Sequence, residues 1–247
     1  MSDDKKSKGN VKRSDAASAR VTWQLIEHAL ACELLGRIYL FGPPGVGKTY
    51  AAYVYGRTER ELYACTLTQE TPAAELRGTY LPQGDTLAWH DGPVVRAMKE
   101  GARLVLNELS HASDDALAFL YPVLEHPETA RITLPTGETV RPAQGFHVVV
   151  TDNLAPDGLP PALRDRFDAL LEICEPHPSA LARLSEPLRE AARRSFSLGD
   201  DRRVSVRSWL TLDRVRHVLG LEAACLVVFG AERGSQIFDA LVLAVVK

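Results

Sequence analysis

At 247 residues, 45% of them apolar, the chain is long enough for one large core or a core with a small satellite domain. A formal charge of −3 gives no global electrostatic case for nucleic acid or an anionic membrane as the main partner. Four cysteines, Cys32, Cys65, Cys174 and Cys225, sit in apolar stretches without C-x-x-C spacing, which argues against zinc and predicts buried thiols in a reducing compartment.

Residues 1–20 are polar, with six basic against three acidic side chains, and predict a disordered basic arm. The arm lacks the apolar core of a signal peptide. Near the other end, "DALVLAVVK" is too short to span a bilayer, so the expectation is a cytoplasmic protein with no membrane contact. From Val21, apolar residues recur at three-to-four spacing (Trp23, Leu25, Ile26, Ala29, Leu30, Leu34) and predict a helix stopped by Gly36.

Five short apolar runs follow: "RIYLF" (37–41), "ELYACTL" (61–67), "ARLVLNE" (102–108), "FHVVVTD" (146–152) and "FDALLEIC" (167–174). Helical or loop stretches separate them, the pattern of an α/β fold with a five-stranded parallel sheet. Two segments interrupt the alternation, 77–92 and 130–145, and both read as inserted hairpins, the second turning at P-T-G-E. After Pro176 no strand candidate remains. Four helical stretches, beginning with "PSALARLSEPLREAARR", predict a small all-helical domain over 177–247, behind an α/β domain over 21–176.

"FGPPGVGKTY" places Gly42, Pro43, Pro44, Gly45, Val46, Gly47, Lys48, Thr49 and Tyr50 between a strand and a helix, in the G-x-x-x-x-G-K-[ST] pattern. Glycines let the backbone bend until its N–H groups surround phosphates. Lys48 can then reach the outer phosphates, and the Thr49 hydroxyl can ligate magnesium. The strand ending Asn107–Glu108 puts an amide where such sites normally have the aspartate that helps hold magnesium; Asn107 keeps an acceptor oxygen for the metal but loses the charge, so magnesium should bind more weakly. Glu108 beside it can orient and deprotonate an attacking water. Asn153, at the end of "FHVVVTDN", can bond the terminal phosphate or the water. Arg164 and Arg166, on a proline-bounded turn, suit a transition state whose charge spreads over three oxygens.

In that order, "GPPGVGKT", "LVLNEL", "VVVTDN", "LPPALRDRF" and "VSVRSW" resemble the AAA+ ATPases, in particular the MoxR-like group with its CbbQ/NorQ-type activators. The resemblance covers residues 21 to 245. It implies ATP and Mg2+ as cofactors and a homo-oligomeric, hexameric ring with nucleotide between neighbours. By position, Lys48 and Thr49 would be Walker A, Asn107 and Glu108 Walker B, and Asn153 sensor one. Arg166 would be the finger reaching the next subunit, with Arg164 a possible second, and Arg207 the lid's sensor-two arginine. His111 stands where many relatives have arginine and reads as a surface residue.

The hairpins would project toward the ring's centre or face, with Trp89 and His90 either gripping a strand or peptide from the first hairpin's tip or packing under their own loop. The leading expectation is an ATP-hydrolysing remodeller or activator of a partner protein, one bearing a von Willebrand factor A domain by the resemblance. The alternatives are a DNA-handling motor, less favoured by the acidic body, and an ATP-gated scaffold that hardly hydrolyses because of Asn107.

Overall fold

In the computed structural model, which describes residues 21–56, 61–186, 188–196 and 203–245, the five apolar runs pair as one parallel sheet. The basic arm predicted at 1–20 lies outside the described residues. Along the chain, α1 (Trp23–Ala31) leads to β1 (Arg37–Phe41), α2 (Lys48–Val54), β2 (Leu62–Thr66) and α3 (Ala73–Arg77). The first hairpin is β3 (Gly78–Gln83) and β4 (Thr86–Asp91), followed by α4 (Pro93–Glu100), β5 (Arg103–Asn107) and α5 (Asp114–Val123). The second is β6 (Ile132–Thr133) and β7 (Thr139–Val140), after which come β8 (His147–Asp152), α6 (Pro161–Arg164) and β9 (Ala169–Glu172). The helical domain holds α7 (Pro178–Ala182), α8 (Leu188–Phe196), α9 (Val206–Leu219), α10 (Leu221–Phe229) and α11 (Ala231–Val245).

Strand order is β2-β5-β8-β1-β9. Because side chains alternate along a strand, the sheet splits its apolar residues between two cores. Ile38, Leu40, Val105 and Val149 face α1, α2 and the helical domain, while Tyr39, Leu104, Leu106, Val148 and Val150 face α4 and α5. Truncating one such residue, for example Leu106→Ala, costs about 2–5 kcal/mol through lost burial and the cavity left behind. Helix α4 is set by Pro93 at its first position and Gly101 in the left-handed region at its end. Helix α5 starts where the Ser113 hydroxyl accepts from Ala116 N, with Asp114 and Asp115 in the dipole-favoured first turn.

At the amino edge of the sheet, Arg103 is 5% exposed and caps two helices at once. Its guanidinium donates to the carbonyls of Leu30, Ala52, Tyr55 and Gly56, which would otherwise be orphans where α1 and α2 end.

Four sequence expectations need correcting. Helix α1 ends at Ala31, and Leu34 beyond it is 90% exposed, because the turn after Cys32 breaks the periodicity before Gly36 does. Cys32 is therefore exposed rather than buried, unlike Cys225. The stretch beginning at Pro178 is two helices. Arg189 binds the carbonyls of Leu181, Ala182 and Leu184, and Asp213 accepts from Ser185 N, so side chains from α8 and α9 end α7 before α8 begins. Trp89 is not at the hairpin tip: it lies opposite Tyr80, stacks edge-on against it at 5.1 Å, and donates through Nε1 to Asp91. The residues nearer the tip are Pro82 and Leu87, on the same face, and Leu87 is 66% exposed.

Candidate functional site

The loop 42–47 leaves β1 at the carboxyl edge of the sheet, where open parallel sheets bind ligands. Gly47 has φ 107°, which a side chain would resist, and this lets the chain turn directly into α2. Lys48 follows and is 7% exposed. Its ammonium donates to Gly42 O (2.8 Å), Pro43 O (2.9 Å) and Asn153 Oδ1 (2.8 Å). Burial lowers its pKa to about 8, with Glu108 and Asp152 pulling it part of the way back. Thr49 and Tyr50, the next residues of α2, are exposed.

Asn153 links the other two elements of the site. While its Oδ1 accepts from Lys48, its Nδ2 donates to Glu108 Oε2 at 3.3 Å, so Lys48, Asn153 and Glu108 form one chain of polar contacts across three strand ends. Glu108 has φ 59° and ψ 48°, a left-handed conformation that costs a non-glycine residue about 1 kcal/mol. It is the one non-glycine residue with positive φ among those described. Strain at this position, beside a buried lysine, is what a functional carboxylate looks like.

Sequence reasoning missed Asp152. The carboxylate is 1% exposed and accepts from Ser110 N, Ser110 Oγ and Leu154 N. It thereby ties the turn carrying Glu108 to the turn carrying Asn153. Tyr39 donates to Leu154 O beneath it, and burial, reinforced by Asp152, raises the Tyr39 pKa. The signal in the sequence was an acid as the last residue of a strand whose preceding four residues, Val148 to Thr151, are apolar or hydroxylated.

Asn107 is 7% exposed and committed to the sheet. Its Oδ1 accepts from Thr151 Oγ1 at 2.8 Å, and its Nδ2 donates to Cys65 O at 3.4 Å. Magnesium, which this kind of site implies, thus finds the exposed Thr49 hydroxyl but no fixed carboxylate at the Asn107 position. No cluster of three or more His, Cys, Asp or Glu suited to a metal occurs among the described residues. The residues fit a triphosphate better than they fit the metal.

The two arginines bond to groups outside this chain of contacts. Arg166 bonds Ala162 O, pairs with Glu125 and lies 4.9 Å over the Tyr121 ring, while Arg164 pairs with the exposed Asp157 at 2.9 Å. Neither joins the Lys48 group within one chain. Arg207 does approach the loop: it is the exposed second residue of α9, whose start is bonded to the loop through Val206 N and Gly45 O at 3.2 Å. At Gly45, φ is +79° and an added Cβ would stand 2.4 Å from Ser205 Cβ, so only glycine lets the helical domain sit this close. His111 is exposed, as expected.

A phosphate loop on β1, a strained acid after β5, an asparagine after β8 and a helical domain seated on the loop define the AAA+ class of P-loop ATPase. The chain belongs to the AAA domain family, dynein-related subfamily, whose profile matches residues 37–167. It is 36% identical over 138 residues to Protein NorQ of Paracoccus denitrificans (strain Pd 1222), a match covering 54% of this chain and 51% of that protein. Denitrification regulatory protein NirQ of Pseudomonas aeruginosa is 34% identical over 138 residues, 54% of this chain and 53% of NirQ. Protein CbbQ of Hydrogenophilus thermoluteolus is 30% identical over 118 residues, 46% of this chain and 43% of CbbQ. These similarities are those of the MoxR-like group. The chain spans about half the length of the curated relatives it matches.

A crystal structure from Cytophaga hutchinsonii shares the fold, with TM-score 0.51 at 16% identity over 88% of this chain and 75% of that one. Among the described residues no helix is long and apolar enough to cross a membrane.

Proposed function

We propose that this chain binds ATP on the loop from Gly42 to Thr49, hydrolyses it at the boundary between copies in a hexameric, cytoplasmic ring, and spends the cycle on activating or remodelling a partner protein. The observation that carries this reading is the polar chain Lys48–Asn153–Glu108, which brings a phosphate-binding cation, an orienting amide and a base to one strand edge. In the reaction Glu108 takes the proton of the attacking water, Asn153 holds that water in line, and Lys48 offsets charge on the transferring phosphoryl group. Arg166, with Arg164 as a second, acts on the neighbouring copy's nucleotide, and Arg207 reads the γ-phosphate from the lid. To reach across, Arg166 must leave Glu125. Magnesium, when bound with ATP, supplies charge neutralisation at the phosphate oxygens.

A partner bearing a von Willebrand factor A domain fits this reading, and the name of NirQ, a regulatory protein, supports an activating role. DNA is the less favoured client. The commitment of Asn107 to Thr151 favours a second reading, an ATP-gated scaffold with little turnover.

Mixing two inactive variants tests the main reading. Glu108→Gln and Arg166→Ala should each bind ATP but release phosphate at least about 100-fold more slowly. Combined, they should recover activity, because some boundaries pair an intact Glu108 with an intact Arg166. No recovery in assembled mixtures refutes catalysis between subunits. ATP binding and ring assembly by a native chain with no measurable turnover would select the scaffold.

A further inference from the structure

The side chain after Leu106 is an amide because the sheet uses both of its ends. Asn107 sits between β2 and β8, paired in register with Thr66 on one side and Thr151 on the other. Its oxygen takes the Thr151 hydroxyl proton at 2.8 Å, and its nitrogen gives a proton toward Cys65 O at 3.4 Å. A carboxylate in the same pose would keep the first bond but set a second acceptor against the Cys65 carbonyl, with no proton between them. Asn107 is a clamp across three strands.

The other two carboxylates of the site are engaged to different degrees. Asp152 is buried under three donors from Ser110 and Leu154, and the Glu108 carboxylate accepts from Asn153. Of the groups that sequence position assigns to the metal, only the neutral hydroxyl of Thr49 stays exposed. Magnesium is a hard cation that takes oxygen ligands and keeps several waters, and with Glu108 reserved for the attacking water, the charged oxygens left for it among the described site residues are those of the nucleotide's own phosphates.

We propose that the metal subsite belongs to the nucleotide rather than to the protein: magnesium rides in on the β- and γ-phosphates, Asn107 does not ligate it, and ATP binds nearly as well without it. The inference rests on the ATP-site reading above and deepens it. By linkage, a protein whose one ligand to the metal is the neutral Thr49 hydroxyl changes the metal's affinity for ATP only slightly on binding, so the two nucleotide forms bind nearly alike.

The test is a titration of the full chain with a fluorescent ATP analogue, once in excess Mg2+ and once in EDTA. The dissociation constants should agree within about threefold, the margin expected when no charged ligand is contributed. Binding weaker by about tenfold or more in EDTA would overturn the proposal. Asn107→Ala should lower the melting temperature while leaving both constants within about threefold of native. A loss confined to the Mg2+ titration would show that Asn107 is a ligand after all. Should that variant not fold, the native comparison stands by itself. Failure to bind in either medium would sink the ATP site, not merely the metal's place in it.

Discussion

Raising the pH from about 7 to about 9 should weaken ATP binding roughly tenfold, and Lys48 is the reason. Burial holds its pKa at about 8 against an ordinary value of 10.5. The ammonium is therefore about nine-tenths protonated at pH 7 and about one-tenth at pH 9. A bound triphosphate favours the charged form and drives the pKa back up, so binding must take up the missing proton. At pH 8 about half a proton per ATP should be absorbed, measurable by calorimetry in buffers of different ionisation enthalpy. Lys48→Met should bind weakly at every pH and lose the proton uptake. A dissociation constant that stays flat across this range, with no proton taken up, would refute the argument.

The ligand-free chain should respond in the opposite sense. Between about pH 8 and 10.5 the unfolded chain holds a proton that the folded chain has lost, so Lys48 makes stability rise with pH across that window.

Glu108→Gly should stabilise the chain by about 1 kcal/mol, by relieving the left-handed backbone, while abolishing turnover; a lower denaturation midpoint would contradict the strain seen at φ 59°. Gly45→Ala should push the lid off the loop at a cost of about 1–3 kcal/mol, detectable as faster proteolysis within 203–245; unchanged protection would mean that the Ser205 contact is dispensable. Arg103→Lys should cost about 2–3 kcal/mol, because one ammonium cannot span the four carbonyls that the guanidinium serves, and a melting temperature within a degree or so of native would deny the capping role.

The five strands, both hairpins and the phosphate loop were legible because each is written locally: an unbroken apolar run, a P-T-G-E turn, glycines at fixed spacing ahead of Lys48. What escaped depends on partners that lie outside the element itself. The end of α7 is set by Asp213 and Arg189, the depth of Trp89 by its register with Tyr80, and the pose of Arg166 by Glu125, 41 positions away. In the site, residue types named Lys48, Glu108 and Asn153 but could not say that Asn153 touches the other two. Asp152 was hidden for a related reason: a carboxylate closing a strand looks like solvent until Ser110 and Leu154 are folded onto it.

The bond from Val206 to Gly45 gives the nucleotide loop a mechanical office. Helix α9 has 14 residues and is about 21 Å long, so under the proposed ATP reading it would act as a crank arm whose pin is the loop itself. A tilt of about 10° at that pin swings Leu219 by roughly 4 Å and carries α10 and α11 with it. A phosphate that nudges the glycine turn thus needs no relay through the sheet to displace the outer helices, and the stroke is set by helix length.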